Sequence, residues 1–373
     1  MTPEQREAYD LYQELKSQDK VAVRLGVSRA AVRERLKRAE KHIKADPGIK
    51  QAMSATGLND ISNLHSGWLK TDEASLYFQV PQEGSSKETF EDYVESVKQA
   101  FGDVDQSALR EVDPVCNTDL LTRYIWADLH FGMMAWAAES GDDYDLKIAG
   151  SRLRSSMRSL VDASPASDTG LICNLGDIFH ANDSKNMTPE SGHILDSDGR
   201  FAKIAIETTR AVVECIEMAK LKHRRVKYVA VAGNHDKDQI HWLTIALMMR
   251  YENDPAVDII WCPSKLYARQ FGKNLLCMHH GDKAKPDRLV MQIADTHSSL
   301  WGGADWRYLD TGHIHHDSSK EIGGMMWESH RTLASKDAYA AGGGYVARQT
   351  IKSITVHREH GEVLRNTVGI MPR

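Results

Sequence analysis

Short apolar runs that each end at a cluster of polar residues recur through the last two thirds of the chain. The five runs are 124–126 (YIW), 171–175 (LICNL), 226–232 (VKYVAVA), 275–278 (LLCM) and 308–310 (YLD). Apolar runs of this length, bounded by polar residues, predict β-strands. Side chains that follow the carboxyl ends of strands collect along one edge of a sheet, where sites are commonly built. The pattern therefore predicts an α/β domain with its chemistry at one sheet edge.

The first 46 residues follow a helical pattern instead. Val21 and Leu25 mark the apolar face of a short predicted helix, and Gly26 suits the left-handed turn after it. Ser28 is a good N-cap for a second helix, which runs from about residue 29 into the forties. This spacing predicts a helix-turn-helix, and residues 15–40 resemble the helix-turn-helix regions of bacterial DNA-binding proteins. The predicted DNA-binding residues are Arg24, Arg29, Arg33 and Lys37.

The charge distribution supports a polyanionic partner for this first segment. Residues 20–44 contain nine basic and two acidic side chains, a balance of +7, whereas the whole chain carries −5. A basic segment on an acidic body is typical of nucleic-acid binding, so DNA is the predicted partner. The alternative is an amphipathic helical pair whose basic face is merely solvated.

Three regions follow from the breaks in these patterns. Asp46, Pro47 and Gly48 end the second helix, so the helix-turn-helix module is assigned to residues 1–46. Residues 47–115 form a connecting region, with two short strands within 61–80 and a helix that begins at the capping box of Ser85. Residues 116–373 are the predicted catalytic domain.

Composition limits the class of protein. No apolar run approaches the roughly 20 residues that a membrane-spanning helix needs, so no membrane association is expected. The N-terminal residues lack a secretion signal pattern, which predicts the cytoplasm of a bacterium or of a phage-infected host. Five widely spaced cysteines without a C-x-x-C pair argue against disulfides and against a thiolate zinc site.

The polar clusters after the predicted strands share one kind of chemistry. Each supplies oxygen or imidazole donors, a set that suits manganese, iron or zinc in a hydrolytic site. In D-x-H and H-x-H the two side chains are two residues apart, so on extended backbone both would point toward the same metal pair. The clusters are Asp128-x-His130, Asp177, Asn234-His235-Asp236, His279-His280 and His313-x-His315.

The ordered set DxH, GD, GNHD, HG and GHxH resembles the calcineurin-like metallophosphoesterase superfamily over about residues 120–320. The resemblance implies an α/β sandwich of mixed β-sheets flanked by helices, preceded here by the small helical module. It also implies two divalent metal ions, with Mn²⁺ favoured and Fe, Zn or Mg as alternatives. One ion would be held by Asp128, His130, Asp177 and His315. The other would be held by Asp177, Asn234, His280 and His313, with Asp177 shared.

The same resemblance implies catalytic roles beside the metals. His235 would donate a proton to the leaving oxygen, and Asp236 would orient it. His280, rather than the adjacent His279, is the implied ligand because it precedes the glycine of the motif. The stretch 176–180 (GDIFH) is similar to SbcD-type repair exonucleases, in which a histidine at the position of His180 helps hold the phosphate.

Together these patterns predict a metal-dependent phosphodiesterase that cleaves DNA. Two alternatives stay open: a phosphoesterase for small phosphodiesters or phosphomonoesters, and a DNA-binding regulator with an inactive phosphoesterase domain. An isolated module of about 45 residues is only marginally stable, so two alternatives are open: it docks on the body of the chain, or the protein is a homodimer. SbcD-type nucleases work with an ATPase partner, which this sequence does not indicate. The fusion itself is similar to those of phage-encoded phosphoesterases.

Overall fold

A computed structural model describes residues 9, 11–12, 17–29, 31–36, 115–189, 192–336, 341–344 and 348–370, together with the backbone of 66–70 and 75–79. The chain divides into two compact units, Met1–Ser86 and Lys87–Arg373. The predicted helix that begins at Ser85, the DNA-binding assignment of Lys37 and the second helix beyond residue 36 lie outside the described residues. The boundaries after residues 46 and 115 stay predictions.

The first unit contains the predicted helix-turn-helix elements. Helix α1 (Gln18–Leu25) has Ser17 as its N-cap and Gly26 as its C-cap. The φ of Gly26 is +66°, a left-handed conformation that favours glycine. The Ser28 hydroxyl accepts a hydrogen bond from the Ala31 amide at 3.2 Å, and the helical residues that follow are 29 and 31–36. The small core between these segments consists of Val21, Ala22, Val32 and Leu36. Helix, turn and N-cap are confirmed.

A β-hairpin within residues 61–80 is also confirmed. Strand β1 (Ser66–Lys70) pairs with β2 (Ser75–Gln79) in antiparallel register, with Trp68 opposite Tyr77. Alternating apolar residues on either side of a polar stretch are the usual sequence signal for such a pair.

The second unit is built on two sheets. The strands of the first, sheet A, are β3 (Asn117–Trp126), β4 (Ser167–Asn174), β5 (Arg225–Ala230), β6 (Val257–Ile260), β12 (Thr350–His357) and β13 (Gly361–Gly369). Those of the second, sheet B, are β7 (Leu266–Phe271), β8 (Asn274–His279), β9 (Trp306–Thr311), β10 (Ser318–Ile322) and β11 (Met325–Ser329). Sheet A has the order β13-β12-β3-β4-β5-β6, and sheet B has β10-β11-β9-β8-β7. Both mix parallel and antiparallel pairs.

Helices cover the outer faces of the two sheets. The helices of this unit are α2 (Ala137–Ser140), α3 (Leu146–Ala163), α4 (Phe201–Lys220), α5 (Gln239–Tyr251), α6 (Pro286–Thr296) and α7 (Ser298–Gly303). One core joins α3, α4 and α5 to sheet A, for example Met157 and Leu243 with Tyr228. A second core lies between the sheets, where Val229 and Met278 pack together. The predicted sandwich of mixed sheets flanked by helices is confirmed.

Parallel pairing within each sheet brings the loops that carry the predicted metal ligands to the carboxyl ends of neighbouring strands. In sheet A, β3, β4, β5 and β6 run parallel in succession, so their carboxyl ends meet at one edge. In sheet B, β8 and β9 also run parallel to each other. The residues that follow these strand ends are the ones the sequence singled out.

A buried charge network connects the two sheets. Glu328 of β11 accepts hydrogen bonds from Lys352 of β12 at 2.7 Å and from Arg365 of β13 at 2.6 and 2.8 Å. Burial opposes ionisation of this carboxyl, but His330, Arg365 and Lys352 outweigh it and lower the pKa of Glu328 to about 2. The network therefore stabilises the fold only while Glu328 is ionised.

We expect the free energy of unfolding to fall in acid. Because the folded pKa of Glu328 lies below its unfolded value, its contribution is complete above about pH 4.5 and is lost as the pH falls toward 2. The contribution is on the order of 3 kcal/mol. Urea unfolding at pH 7, 4 and 3 measures it. Glu328→Gln should remove only the share that Glu328 supplies, so its loss of stability between pH 7 and pH 3 should be smaller than that of the wild type, whereas Glu321→Gln, on exposed β10, should keep the wild-type loss; equal curves for all three proteins would contradict the prediction.

Candidate metal centre

The loops at the common edge hold an unusual backbone conformation. Among the described residues, six other than glycine have positive φ, and five of them are predicted metal ligands. Each such residue costs on the order of 1–3 kcal/mol and persists only where its surroundings enforce it. The five are Asp128, His130, Asp177, His313 and His315, with φ between 45° and 69°. Strain concentrated in this way marks a functional site.

This conformation corrects one step of the sequence argument. The D-x-H and H-x-H pairs were expected on extended backbone, where alternation makes both side chains face the same way. In the structure β3 ends at Trp126 and β9 at Thr311, so both pairs lie in left-handed turns beyond their strands. The side chains of each pair still converge, because the left-handed backbone conformation of the loop, and not the alternation of a strand, sets their directions.

The first donor group consists of Asp128, His130 and His315, whose donor atoms lie within 4.8 Å of one another. Nε2 of His130 is 3.2 Å from Nε2 of His315, which is 3.3 Å from Oδ1 of Asp128. Ligands bound at about 2.1 Å to one ion lie roughly 3.0–3.4 Å apart in octahedral or tetrahedral geometry. The spacing fits a single divalent cation shared by the three side chains.

The second donor group consists of Asp177, His280 and His313. Nε2 of His280 is 3.1 Å from Oδ2 of Asp177 and 3.0 Å from Oδ1 of Asn234, so the asparagine joins this group. The other ring nitrogen of His280 donates to the Leu175 carbonyl at 2.8 Å, which orients Nε2 toward the carboxylate. These distances again match the separations expected of ligands on one ion.

The buried carboxylate of the second group favours positive charge beside it. Burial opposes the charge of His280, but the Asp177 carboxylate outweighs it and raises the pKa of His280 to about 10. Burial likewise opposes ionisation of Asp177, yet His280 holds the pKa of that carboxyl well below its usual range. A buried carboxylate with so strong a preference for a cationic neighbour is suited to a divalent ion.

Two glycines allow the carboxylates to approach the backbone. A Cβ at Gly233, in the GNHD loop, would overlap the Asp177 carboxylate, and a Cβ at Gly312 would lie 2.5 Å from Oδ2 of Asp128. The amide of His313 donates to both oxygens of Asp128, at 3.1 and 2.8 Å. Glycine at these two positions is therefore required by close packing around the donor atoms.

A third group lies against the first. His130, His180 and His235 bring their ring nitrogens within 4.8 Å of one another, and the rings of His180 and His235 are stacked with centroids 5.4 Å apart. Burial and the neighbouring His235 lower the pKa of His180 to about 3, so His180 is neutral near pH 7. The predicted catalytic histidines thus lie beside the predicted ligands.

Comparison with known proteins decides the family. The profile of the calcineurin-like phosphoesterase family matches residues 123–332, more than half of the chain. The chain belongs to this family. The sigma-70 region 4 profile matches residues 1–43 of this phosphoesterase, the segment that holds the helix-turn-helix elements. No curated protein matches the chain at a significant level.

Solved structures of other phosphoesterases match this phosphoesterase at low identity. A predicted phosphoesterase from Streptococcus pneumoniae is 11% identical, with 68% of this chain and 100% of that chain covered and a TM-score of 0.29. YfcE, a phosphoesterase from E. coli, is 14% identical (66% and 98% covered, TM-score 0.30). An archaeal phosphodiesterase is 12% identical (67% and 99% covered, TM-score 0.34). Within the described residues, no helix has the length and apolar character of a membrane span.

The carboxylate of Asp236 contacts backbone amides rather than the ring of His235. This buried carboxylate accepts hydrogen bonds from the amides of Gly233, Asp177, Ile178 and Phe179 at 2.8–3.3 Å. The ring of His235 is oriented instead by the carbonyl of His180, to which Nδ1 donates at 2.7 Å. Burial, with the charge of Asp177, raises the pKa of Asp236 to about 7. Asp236 therefore connects the loop of residues 177–179 to its own loop through hydrogen bonds with their backbone amides.

Replacement of Asp236 by asparagine is expected to destabilise the phosphoesterase by about 2–4 kcal/mol, because an amide group would place N–H donors against backbone N–H donors. Urea unfolding measures the loss. Asp305→Asn, at an exposed carboxylate 3.9 Å from Lys273, serves as the control and should unfold like the wild type. Unfolding of Asp236→Asn at the wild-type midpoint would contradict this role.

Two residues support the site through contacts that the sequence did not predict. Asn182 accepts hydrogen bonds from the amides of Asp238 and Gln239, at 2.7 and 3.2 Å, and so caps α5 from another loop. Thr332 donates its hydroxyl to the carbonyl of Asp128. Ser, Thr and Asn in loops are too common to signal such contacts, since their partners are backbone groups distant in sequence.

The two remaining histidines of the motifs point away from the donor groups. Nδ1 of His279 accepts the Gly281 amide at 2.8 Å, and burial lowers the pKa of His279 to about 4. His316 is exposed, with Nδ1 2.7 Å from the Ile314 carbonyl. Adjacent residues on extended backbone face opposite sides, which explains why His280 and not His279 meets Asp177.

Proposed function

We propose that this phosphoesterase is a divalent-metal-dependent phosphodiesterase that cleaves DNA. The observation that carries the proposal is the convergence of two carboxylate–imidazole donor groups from loops of both sheets, Asp128 with His130 and His315, and Asp177 with His280 and His313. The same chain carries a sigma-70 region 4 match over residues 1–43, a type of module that suits DNA. Residues 1–46 would hold the DNA and residues 116–373 would cut it.

The donor sets suit two ions. The first would be held by Asp128, His130, Asp177 and His315, and the second by Asp177, Asn234, His280 and His313. Two divalent ions, when bound, supply Lewis acidity that activates a water and neutralises charge on the phosphoryl oxygens. Oxygen and imidazole donors without a thiolate favour Mn²⁺, with Fe, Zn and Mg as the other members of the class.

His235 is the proposed general acid. Its Nδ1 is engaged by the His180 carbonyl at 2.7 Å, so Nε2 is the nitrogen left to face a leaving oxygen. With Nδ1–H engaged in this way, the protonated ring can donate to the leaving oxygen only from Nε2. Asp236 acts on this step only indirectly, through the loops that it connects.

His180 is proposed to hold a non-bridging phosphate oxygen. A neutral ring next to His130, with Nδ1 atoms 3.5 Å apart, can donate one hydrogen bond without repelling a nearby cation. Its burial keeps the ring in one orientation, which favours positioning over proton transfer.

Arg24, Arg29 and Arg33 are exposed on the helix-turn-helix elements and are the proposed DNA contacts, with Lys37. We expect Arg33→Ala in the full chain to weaken DNA binding by a similar factor whatever the DNA sequence. It should also reduce the slope of the logarithm of the binding constant against the logarithm of the salt concentration by about 1. Fluorescence anisotropy at 50–200 mM salt measures both. Lys273→Ala, half-exposed on the catalytic unit, is the control; an unchanged slope for Arg33→Ala would contradict phosphate contact.

Cleavage assays test the proposal directly. End-labelled linear and circular DNA, single- and double-stranded, would be incubated with Mn²⁺, Mg²⁺ or a chelator. Metal-dependent DNA cleavage is the expected result. Hydrolysis of bis(p-nitrophenyl) phosphate or of a phosphomonoester without any cleavage of DNA would assign the chain to small substrates instead.

Two further proposals concern the surroundings of the enzyme: a cytoplasmic location and a homodimer. An ATPase partner, which the sequence does not indicate, is an alternative that the cleavage assay tests. Light scattering of the full chain, with and without DNA, tests the dimer. A purified chain that cleaves DNA without ATP would make the ATPase partner unnecessary.

A further inference from the structure

The loop of residues 261–265 crosses from sheet A to sheet B beside the candidate metal centre. It leaves β6, which runs parallel to β5 with Ile260 opposite Val229, so Trp261 emerges at the carboxyl edge of sheet A. The loop then enters β7, where Leu266 lies opposite His279. One strand spacing, about 4.8 Å, separates the end of β6 from the end of β5, which leads into the Asn234 loop.

Contacts at both ends of this loop connect it to segments that follow site residues in the chain. Lys265 forms an ion pair of 2.8 Å with Asp282, which is two residues beyond His280. Trp261 meets the ring of His241 edge to face at 6.4 Å, and His241 lies at the start of α5, six residues beyond His235. The loop is therefore connected at its start to α5, which follows the His235 loop, and at its end to the loop that carries His280.

Trp261 is nevertheless 52% exposed. A large aromatic ring that contacts a neighbouring ring but is open to solvent presents a flat apolar surface, and its two side-chain torsions leave little entropy to lose on binding. Beside a site for phosphodiester chemistry, the group that fits such a surface is a nucleobase, since every base has a flat π-face. Trp242, the next residue on α5, is also partly exposed.

We propose that Trp261, supported by His241, stacks on a nucleobase that flanks the phosphate to be cleaved, and that the DNA reaches this site as a single strand. The inference rests on the proposed DNA cleavage and specifies the form of its substrate. A base within a duplex has both faces covered by its neighbours, so only an unpaired base offers a face to Trp261.

The test uses the full chain, a labelled single-stranded oligonucleotide and the same strand with abasic sites flanking the cleaved bond. Trp261→Ala should raise KM for the intact strand about 5- to 150-fold and change kcat less than about twofold. It should leave KM for the abasic strand unchanged. Trp261→Phe should keep most of the affinity, because the smaller ring still stacks.

Trp306→Ala is the matched control. Trp306 is 45% exposed and begins β9, at the opposite end of that strand from the donor groups. This variant should show wild-type KM on both strands. Thermal unfolding and metal content of each variant exclude a general loss of fold.

Each other outcome overturns the inference. An equal rise of KM on intact and abasic strands would mean that Trp261 only supports its loop. A changed molecular mass in light scattering with unaltered KM would make the ring a contact between copies. If the wild type cleaves both strands with the same KM, only the stacking fails; if it cleaves neither but hydrolyses bis(p-nitrophenyl) phosphate, the proposed function fails with it.

Discussion

Asp177→Asn is expected to lower kcat/KM for DNA cleavage by about 10³-fold and to reduce the bound metal. Asp177 is the carboxylate that the two proposed metal sites share, and its Oδ2 lies 3.1 Å from Nε2 of His280. An amide removes a full negative charge from a buried position and turns an N–H donor toward the ions. Elemental analysis of the dialysed protein, together with initial rates at saturating Mn²⁺, measures both effects.

The matched control is Asp168→Asn. Asp168 is on the same strand, β4, but at its amino end, where it pairs with Arg224 at 3.0 Å. This variant should bind wild-type amounts of metal and cleave at the wild-type rate. An Asp177→Asn protein that keeps two ions and full activity would exclude the shared carboxylate from the centre.

His235→Gln is expected to lower kcat for DNA about 10²- to 10⁴-fold while metal content is retained. The glutamine preserves a polar side chain of similar reach but cannot deliver a proton. His235 is not in either carboxylate-containing donor group, so the metal sites should survive its loss. Single-turnover cleavage with saturating enzyme measures the chemical step.

A change of leaving group separates proton donation from other roles. The leaving nitrophenolate of bis(p-nitrophenyl) phosphate is weakly basic and hardly needs a proton, so His235→Gln should slow its hydrolysis far less than it slows DNA cleavage. His297→Gln, at the end of α6, should leave both substrates unaffected. An equal loss on both substrates would assign His235 to phosphate or metal positioning.

Much of the fold could be predicted because its signals are local. The apolar run 226–232 identifies β5, and a turn rich in Gly, Asn and Asp ends it. Gly26 and Ser28 likewise locate the turn and the cap of the helix-turn-helix within a few residues. Each of these features depends on backbone preferences that a short segment expresses without help from the rest of the chain.

What the sequence determined by itself is therefore the set of donor residues and the strands that precede them. Only the tertiary structure decided which donors meet: Nε2 of His130 lies 3.2 Å from that of His315, although 185 residues separate them. The reason is that strand order and the packing of two sheets set these distances. Local sequence also could not reveal that Asp236 binds four amides or that a carbonyl orients His235. Backbone amides and carbonyls occur at nearly every residue, so only folding selects the ones that bind.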